Sequence, residues 1–172
     1  MSSLVVFSTS TGNTRKIADA IFSALKDTDK KIVDVNEINK VNFNKFDKII
    51  IGGWIDKGEI DEKAKEFMTQ LKNKKAGLFV TMGGNPQTER AENCLQKIKE
   101  SLEENGNIVE KTFICQGAID PELINKFREM TAKGIAAGHF AATPEREARW
   151  AEAAKHPDEK DIENAKKTFE EF

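Results

Sequence analysis

Ser3-Leu4-Val5-Val6-Phe7-Ser8, followed by Thr9-Ser10-Thr11-Gly12-Asn13-Thr14, is the stretch that decides how this chain folds. The first half is an apolar run of strand length. The second half holds five residues with a side-chain hydroxyl or amide, and one glycine. Directly after it, Ile17, Ala20, Ile21, Ala24 and Leu25 recur at helical spacing. A polar loop between the carboxyl end of a strand and the amino end of a helix gathers hydroxyls, backbone N–H groups and a positive helix end at one point. That combination cradles a phosphate. The plainer alternative is a polar turn whose hydroxyls cap the helix.

The residues absent from the loop narrow its ligand. A nucleoside-triphosphate loop needs G-x-x-x-x-G-K-[ST], and a dinucleotide fingerprint needs G-x-G-x-x-G. This loop has one glycine and no lysine. Its donors are all neutral, which suits one phosphomonoester held in place rather than a phosphate that leaves.

Thr9 to Thr14 resembles the [ST]-x-T-G-x-T phosphate loop of flavodoxins, and it lies near the start of the chain as in that family. The resemblance implies an α/β, flavodoxin-like, doubly wound five-stranded parallel sheet of order 2-1-3-4-5. It also implies flavin mononucleotide (FMN) bound where the strand order reverses.

The rest of the chain is compatible with that expectation. Its 172 residues predict one domain spanning 1–172. Lys+Arg number 27 against Asp+Glu 29, so no basic excess points to nucleic acid. The near balance also departs from the marked acidity of many flavodoxins. No secretory leader is read at Met1-Ser2-Ser3, and no apolar run approaches the about 20 residues of a membrane span. A cytoplasmic protein is expected. Cys94 and Cys115 make neither a disulfide framework nor a metal spacing and are expected in the core. His139 and His156 are read as loop residues with no partner spacing for a metal or a triad.

Strand and helix patterns alternate along the chain. Strands are expected at Lys31–Val35, Phe46–Ile51, Ala76–Met82 and Ile108–Cys115. Helices are expected at about Asp61–Leu71 and at Thr88–Glu104, with Gly106 ending the latter. From Ala118 on, the chain is longer than the fold needs. Asp120-Pro121-Glu122, Thr143-Pro144-Glu145 and Asp158 each start a helix, so 118–172 is expected to be helical. One of these helices, the last, is expected to cover the sheet; the others are an addition. Trp150 with Arg146 and Arg149 reads either as a core Trp with exposed arginines or as a docking surface or lid.

Two glycine-rich loops would face the flavin. In Gly52-Gly53-Trp54-Ile55-Asp56-Lys57-Gly58-Glu59, the paired glycines are read as room for a ligand, and Trp54 either stacks on the ring or sits under the loop. Asp56 and Lys57 read as a solvated rim. By resemblance, Gly58 matches the family glycine whose peptide reorients when the flavin gains a proton at N5. In Met82-Gly83-Gly84-Asn85-Pro86 the glycines are either a close approach or a tight turn, and the aromatic residue common there in flavodoxins is missing. The cofactor-binding set is therefore Thr9, Ser10, Thr11, Gly12, Asn13, Thr14, Gly53, Trp54, Ile55, Gly58, Met82, Gly83, Gly84 and Asn85.

The resemblance implies electron transfer from a reductase donor to an acceptor enzyme, with FMN doing the chemistry and no catalytic side chain. The Trp54–Gly58 loop and the long tail further resemble a branch found in anaerobic bacteria. Some members of that branch are associated with bilirubin reductase, so a tetrapyrrole reductase is one implied acceptor. Two alternatives stand beside this reading. One is an FMN-dependent oxidoreductase acting directly on a quinone-, porphyrinogen- or bilin-like substrate, with the extra tail shaping a pocket. The other is a flavin-free interaction module. A receiver-type signalling domain would need an acidic phosphoacceptor where Gly52-Gly53 stand.

Overall fold

The computed structural model describes residues 1–172, except for the side chain of His139. Five parallel strands carry the fold: β1 (Ser2–Phe7), β2 (Asp29–Asp34), β3 (Lys48–Asp56), β5 (Lys75–Met82) and β6 (Ile108–Gln116). They lie in the order β2-β1-β3-β5-β6, the 2-1-3-4-5 arrangement expected for five consecutive parallel strands. A short strand β4 (Glu59–Ile60) pairs antiparallel with the end of β3, Ile55 opposite Ile60.

Side chains alternate across the sheet, and each face has its own apolar layer. Leu4, Val6, Ile49, Ile51, Leu78 and Val80 pack beneath α2 (Glu62–Gln70) and α3 (Glu89–Glu103) through Phe67, Met68, Ile98 and Leu102. Val5, Phe7, Ile50 and Phe79 meet Ile17, Ile21, Ala165 and Phe169 of α1 (Asn13–Ala24) and α6 (Glu159–Phe169) on the other face. Strands buried on both faces explain the unbroken Ile49-Ile50-Ile51 run.

The expected second and third strands shift. The second starts earlier, at Asp29, and the third runs on to Asp56. Gly52, Gly53, Trp54 and Ile55 therefore belong to a strand rather than a loop. The turn after them is only Lys57-Gly58, with φ of 50° and 85°. Two central residues at positive φ make the primed turn that joins twisted strands in register.

All three helices expected after residue 118 form. Asp120, Thr143 and Asp158 cap α4 (Pro121–Ala132), α5 (Pro144–Ala153) and α6, each accepting a backbone N–H. The last helix covers the sheet, as expected. Helices α4 and α5 lie between β6 and α6. Phe127 of α4 stacks on Trp150 of α5 with centroids 5.9 Å apart, and Phe140 tilts against Phe127 at 5.5 Å. Trp150 is thus a buried residue of this small cluster. Arg128 forms a two-pronged pair with Glu147, at 2.7 and 2.5 Å. His139 lies in a 3-10 turn, Gly138–Phe140; its side chain lies outside the described residues.

Two polar ties hold the ends of α6. Lys48, buried at the start of β3, pairs with Asp27 at 2.8 Å and donates to the main-chain oxygen of Phe172. Burial pushes the Asp27 carboxyl up, but hydrogen bonds from Lys48 and Ser3 outweigh it and hold it below its usual range. At the other end, His156 Nδ1 meets Asp161 Oδ2 at 2.6 Å, which holds the imidazole above its usual value.

Removing one member of a buried pair leaves the other uncompensated, so Lys48→Met is expected to cost about 3 kcal/mol in denaturant unfolding. Asp27 stabilises the fold above about pH 4, and that contribution is lost as pH falls through its lowered folded value. Asp27→Asn should flatten the acid limb. His156 has the opposite sign. Its contribution is complete below about pH 6.5 and is lost as pH rises through its raised value. The melting temperature should therefore fall on the alkaline side in the wild type and change less in His156→Gln.

Candidate cofactor site

The phosphate loop leaves the sheet where β1 ends and enters α1 through Gly12, whose φ of 98° is a left-handed conformation that glycine adopts without strain. Helix α1 has no acidic residue in its first turn, so nothing there opposes an anion at its positive end. Thr9 Oγ1 accepts the Gly12 N–H at 2.9 Å and shapes the turn. Thr14 is buried and shares a 2.9 Å hydrogen bond with Thr81 of β5. Asn13 donates from Nδ2 to the Ala118 carbonyl at 2.8 Å, after β6. Two of the six loop residues are thus anchors to neighbouring strand ends, while Ser10 and Thr11 remain exposed.

A cleft of about 440 Å³ opens from this loop, within the range of small-molecule sites. Thr9, Ser10, Thr11, Asn13 and Thr14 line its floor, Trp54 and Ile55 one side, and Met82 and Gly83 another. These nine expected residues are brought together. Gly58, Gly84 and Asn85 instead line a broader neighbouring groove, which shares Ile55, Met82 and Gly83 with the cleft.

The reason for Gly52 and Gly53 differs from the one expected. A Cβ on Gly52 would lie 1.8 Å from the Phe79 ring, and one on Gly53 would lie 2.6 Å from Asp61 Oδ2. The paired glycines make room for protein side chains, and Gly53 is buried and is not among the residues that line the cleft. The Gly58 carbonyl accepts from Cys94 Sγ at 2.9 Å. Burial raises the pKa of both Cys94 and Cys115, so the thiols stay protonated.

The fourth wall comes from the start of the tail, which the sequence places at a pocket only under the direct-oxidoreductase alternative and without naming these residues. Gly117, Ala118, Ile119 and Asp120 follow β6, and Glu122, Leu123 and Lys126 stand on α4. The signal was available in principle: ligands of such sheets sit outside the carboxyl ends of several strands, and Pro121 marks a helix starting there. Lys126 is the cation of this cleft among the described residues; Asp56, Asp120 and Glu122 are its carboxylates.

These groups fit a flavin nucleotide. Neutral hydroxyls and helix-end N–H groups suit the phosphate, and the space between Trp54 and Met82–Gly83 suits a flat ring. Thr11→Ala together with Thr14→Ala is expected to weaken FMN binding by tenfold or more, about 1.4 kcal/mol per tenfold, in a fluorescence titration. Thr11→Ala alone should leave stability unchanged, whereas Thr14→Ala should cost about 1 kcal/mol through loss of the Thr81 bond. Unchanged affinity in the double variant would place the phosphate elsewhere.

Among known proteins, the chain matches the flavodoxin domain family over residues 4–170. It is similar to the flavodoxin-like domain-containing protein BilS of Clostridioides difficile (strain CD3), at 35% identity over 167 residues, 96% of this chain and 92% of that protein. A flavodoxin from the domain Archaea superposes with a TM-score of 0.63 at 16% identity, over 98% of this chain and 94% of its own. A flavoprotein from Lactobacillus acidophilus NCFM, solved in complex with FMN, gives 0.52 at 16% identity, over 73% and 97%. The family match spans nearly the whole chain, from the strand before the phosphate loop to the helix that closes the sheet, and the chain belongs to the flavodoxin domain family.

Proposed function

We propose that this protein binds FMN and carries electrons between a reductase and an acceptor enzyme in the cytoplasm. The observation that carries this reading is the cleft itself. One end is a phosphomonoester cradle of neutral donors, and the other opens between Trp54 and Met82–Gly83. When bound there, FMN supplies the redox chemistry. Ser10, Thr11 and the first N–H groups of α1 would hold the phosphate, and Trp54 would shield the ring from water. The FMN complex of the Lactobacillus flavoprotein supports the choice of cofactor. The loop and tail resemblance supports a tetrapyrrole reductase as acceptor. Among the described residues no helix is long and apolar enough to cross a membrane.

A direct oxidoreductase is the second reading, and one feature favours it. Leu123 and Lys126 of helix α4 stand over the cleft, where they would meet a substrate approaching the flavin.

Anaerobic stepwise reduction of the FMN-loaded protein separates the two. A carrier is expected to show a long-wavelength band at half reduction and no turnover of quinone, porphyrinogen or bilin without a partner. Direct passage to the two-electron-reduced form, with turnover of one of these substrates, would favour the enzyme. Failure to retain FMN through gel filtration would sink both.

A further inference from the structure

We propose that Asp61 is a positioning residue of the cofactor site, its buried carboxylate joining the phosphate loop to Trp54. The inference rests on reading the cleft as a flavin nucleotide site.

Asp61 follows the β3–β4 hairpin and is 5% exposed. It caps α2, with Oδ1 accepting the Ala64 N–H at 3.2 Å. The same oxygen accepts the Ser8 hydroxyl at 2.6 Å, and Oδ2 accepts the Trp54 N–H at 3.2 Å. The backbone N–H of Asp61 donates in turn to the Trp54 carbonyl at 2.9 Å. One residue therefore holds Trp54 through both its N–H and its C=O. Ser8 stands immediately before Thr9, and its own N–H donates to Gly52 at 2.9 Å. The exit of β1 into the phosphate loop and the exit of β3 into Trp54 meet on one carboxylate.

Capping alone does not require this residue. Asn and Ser cap as well as Asp, and a neutral side chain costs less to bury than a carboxylate. The aspartate alone offers two oxygens that accept all three donors at once. A glycine at position 53 keeps the space open, since a Cβ there would meet Oδ2 at 2.6 Å. All three donors are neutral, so no hydrogen-bonded cation cancels the charge. Hydrogen-bonded to the backbone of Trp54, a carboxylate charge there would oppose an electron arriving on a flavin in the cleft.

Asp61→Asn and Asp61→Ser test this because both keep the cap. Asn must turn an amide N–H toward Trp54 N–H or toward Ser8 and Ala64, and Ser is too short to join both strands. The full chain is measured for thermal unfolding, FMN and riboflavin affinity, and the midpoint potential of bound flavin. Expected are variants that still fold but melt somewhat below wild type through the lost buried hydrogen bonds, FMN affinity weakened about tenfold or more, riboflavin weakened alongside it, and a midpoint shifted to more positive potential. Ser8→Ala, which deletes one hydroxyl, should give a smaller loss of affinity in the same direction even if the Asp61 variants fold poorly. Wild-type affinity and potential in the variants would overturn the proposal. So would weakened binding with an unmoved potential, which a helix cap alone would produce. If the wild-type chain takes up no flavin, the reading of the cleft fails separately. Trp54 emission in the ligand-free Trp150→Phe background then reads the tie: a shift on Asp61→Asn supports it, and none overturns it.

Discussion

Burial of both faces of the parallel sheet is the constraint from which the site follows. With α1 and α6 on one side and α2 and α3 on the other, ligands have access only where the strands end. Between β1 and β3 the connecting helices leave toward opposite faces, and a crevice opens there. The phosphate loop stands at that crevice because Ser8 is the last buried residue of the β1 segment and the hydroxyl-rich turn begins at the next residue. The chemistry is then set by short-range donors. The loop offers no lysine, so what it presents to an anion is neutral hydroxyls and the positive helix end; the cleft's cation, Lys126, comes from far along the chain.

The sheet was legible because strands buried on both faces must be apolar without alternation, as Ile49-Ile50-Ile51 is. The phosphate loop was legible because its chemistry is contained in six consecutive residues. Legibility fails where a residue's reason lies elsewhere in the sequence. Gly52 and Gly53 read as room for a ligand, but their neighbours are Phe79 and Asp61. No local pattern reports a ring arriving from β5. Asp61 read as an ordinary helix start, since a cap is visible locally and its bonds to Ser8 and Trp54 are not. The hairpin escaped notice because β4 is two residues long, too short for any periodicity. The α4 wall follows the same logic: Asp120-Pro121-Glu122 marks where the helix starts, but its place beside the cleft depends on the order of the strands.

Capping chemistry gave the starts of the three late helices, and the structure shows how differently they are used. Helix α6 places Ala165 and Phe169 in the core. Helix α4 has no buried residue and relies on Phe127 meeting Trp150 and Phe140. Its exposed Leu123 belongs to the rim of the cleft. The two roles explain why one amphipathic pattern completes the sheet and the other shapes access to the ligand.

The segment that carries α4 and α5 begins and ends at nearly one point. Ala118 donates its N–H to the His156 carbonyl at 2.9 Å, so the chain leaves β6 and returns to α6 across a single peptide hydrogen bond. A segment whose ends are already joined places little demand on the body it leaves, because closing it adds only a slowly growing entropic cost with length. The sheet would be indifferent to what lies between those two residues. Variation there can reshape the α4 wall of the cleft while the sheet and the phosphate loop stay as they are.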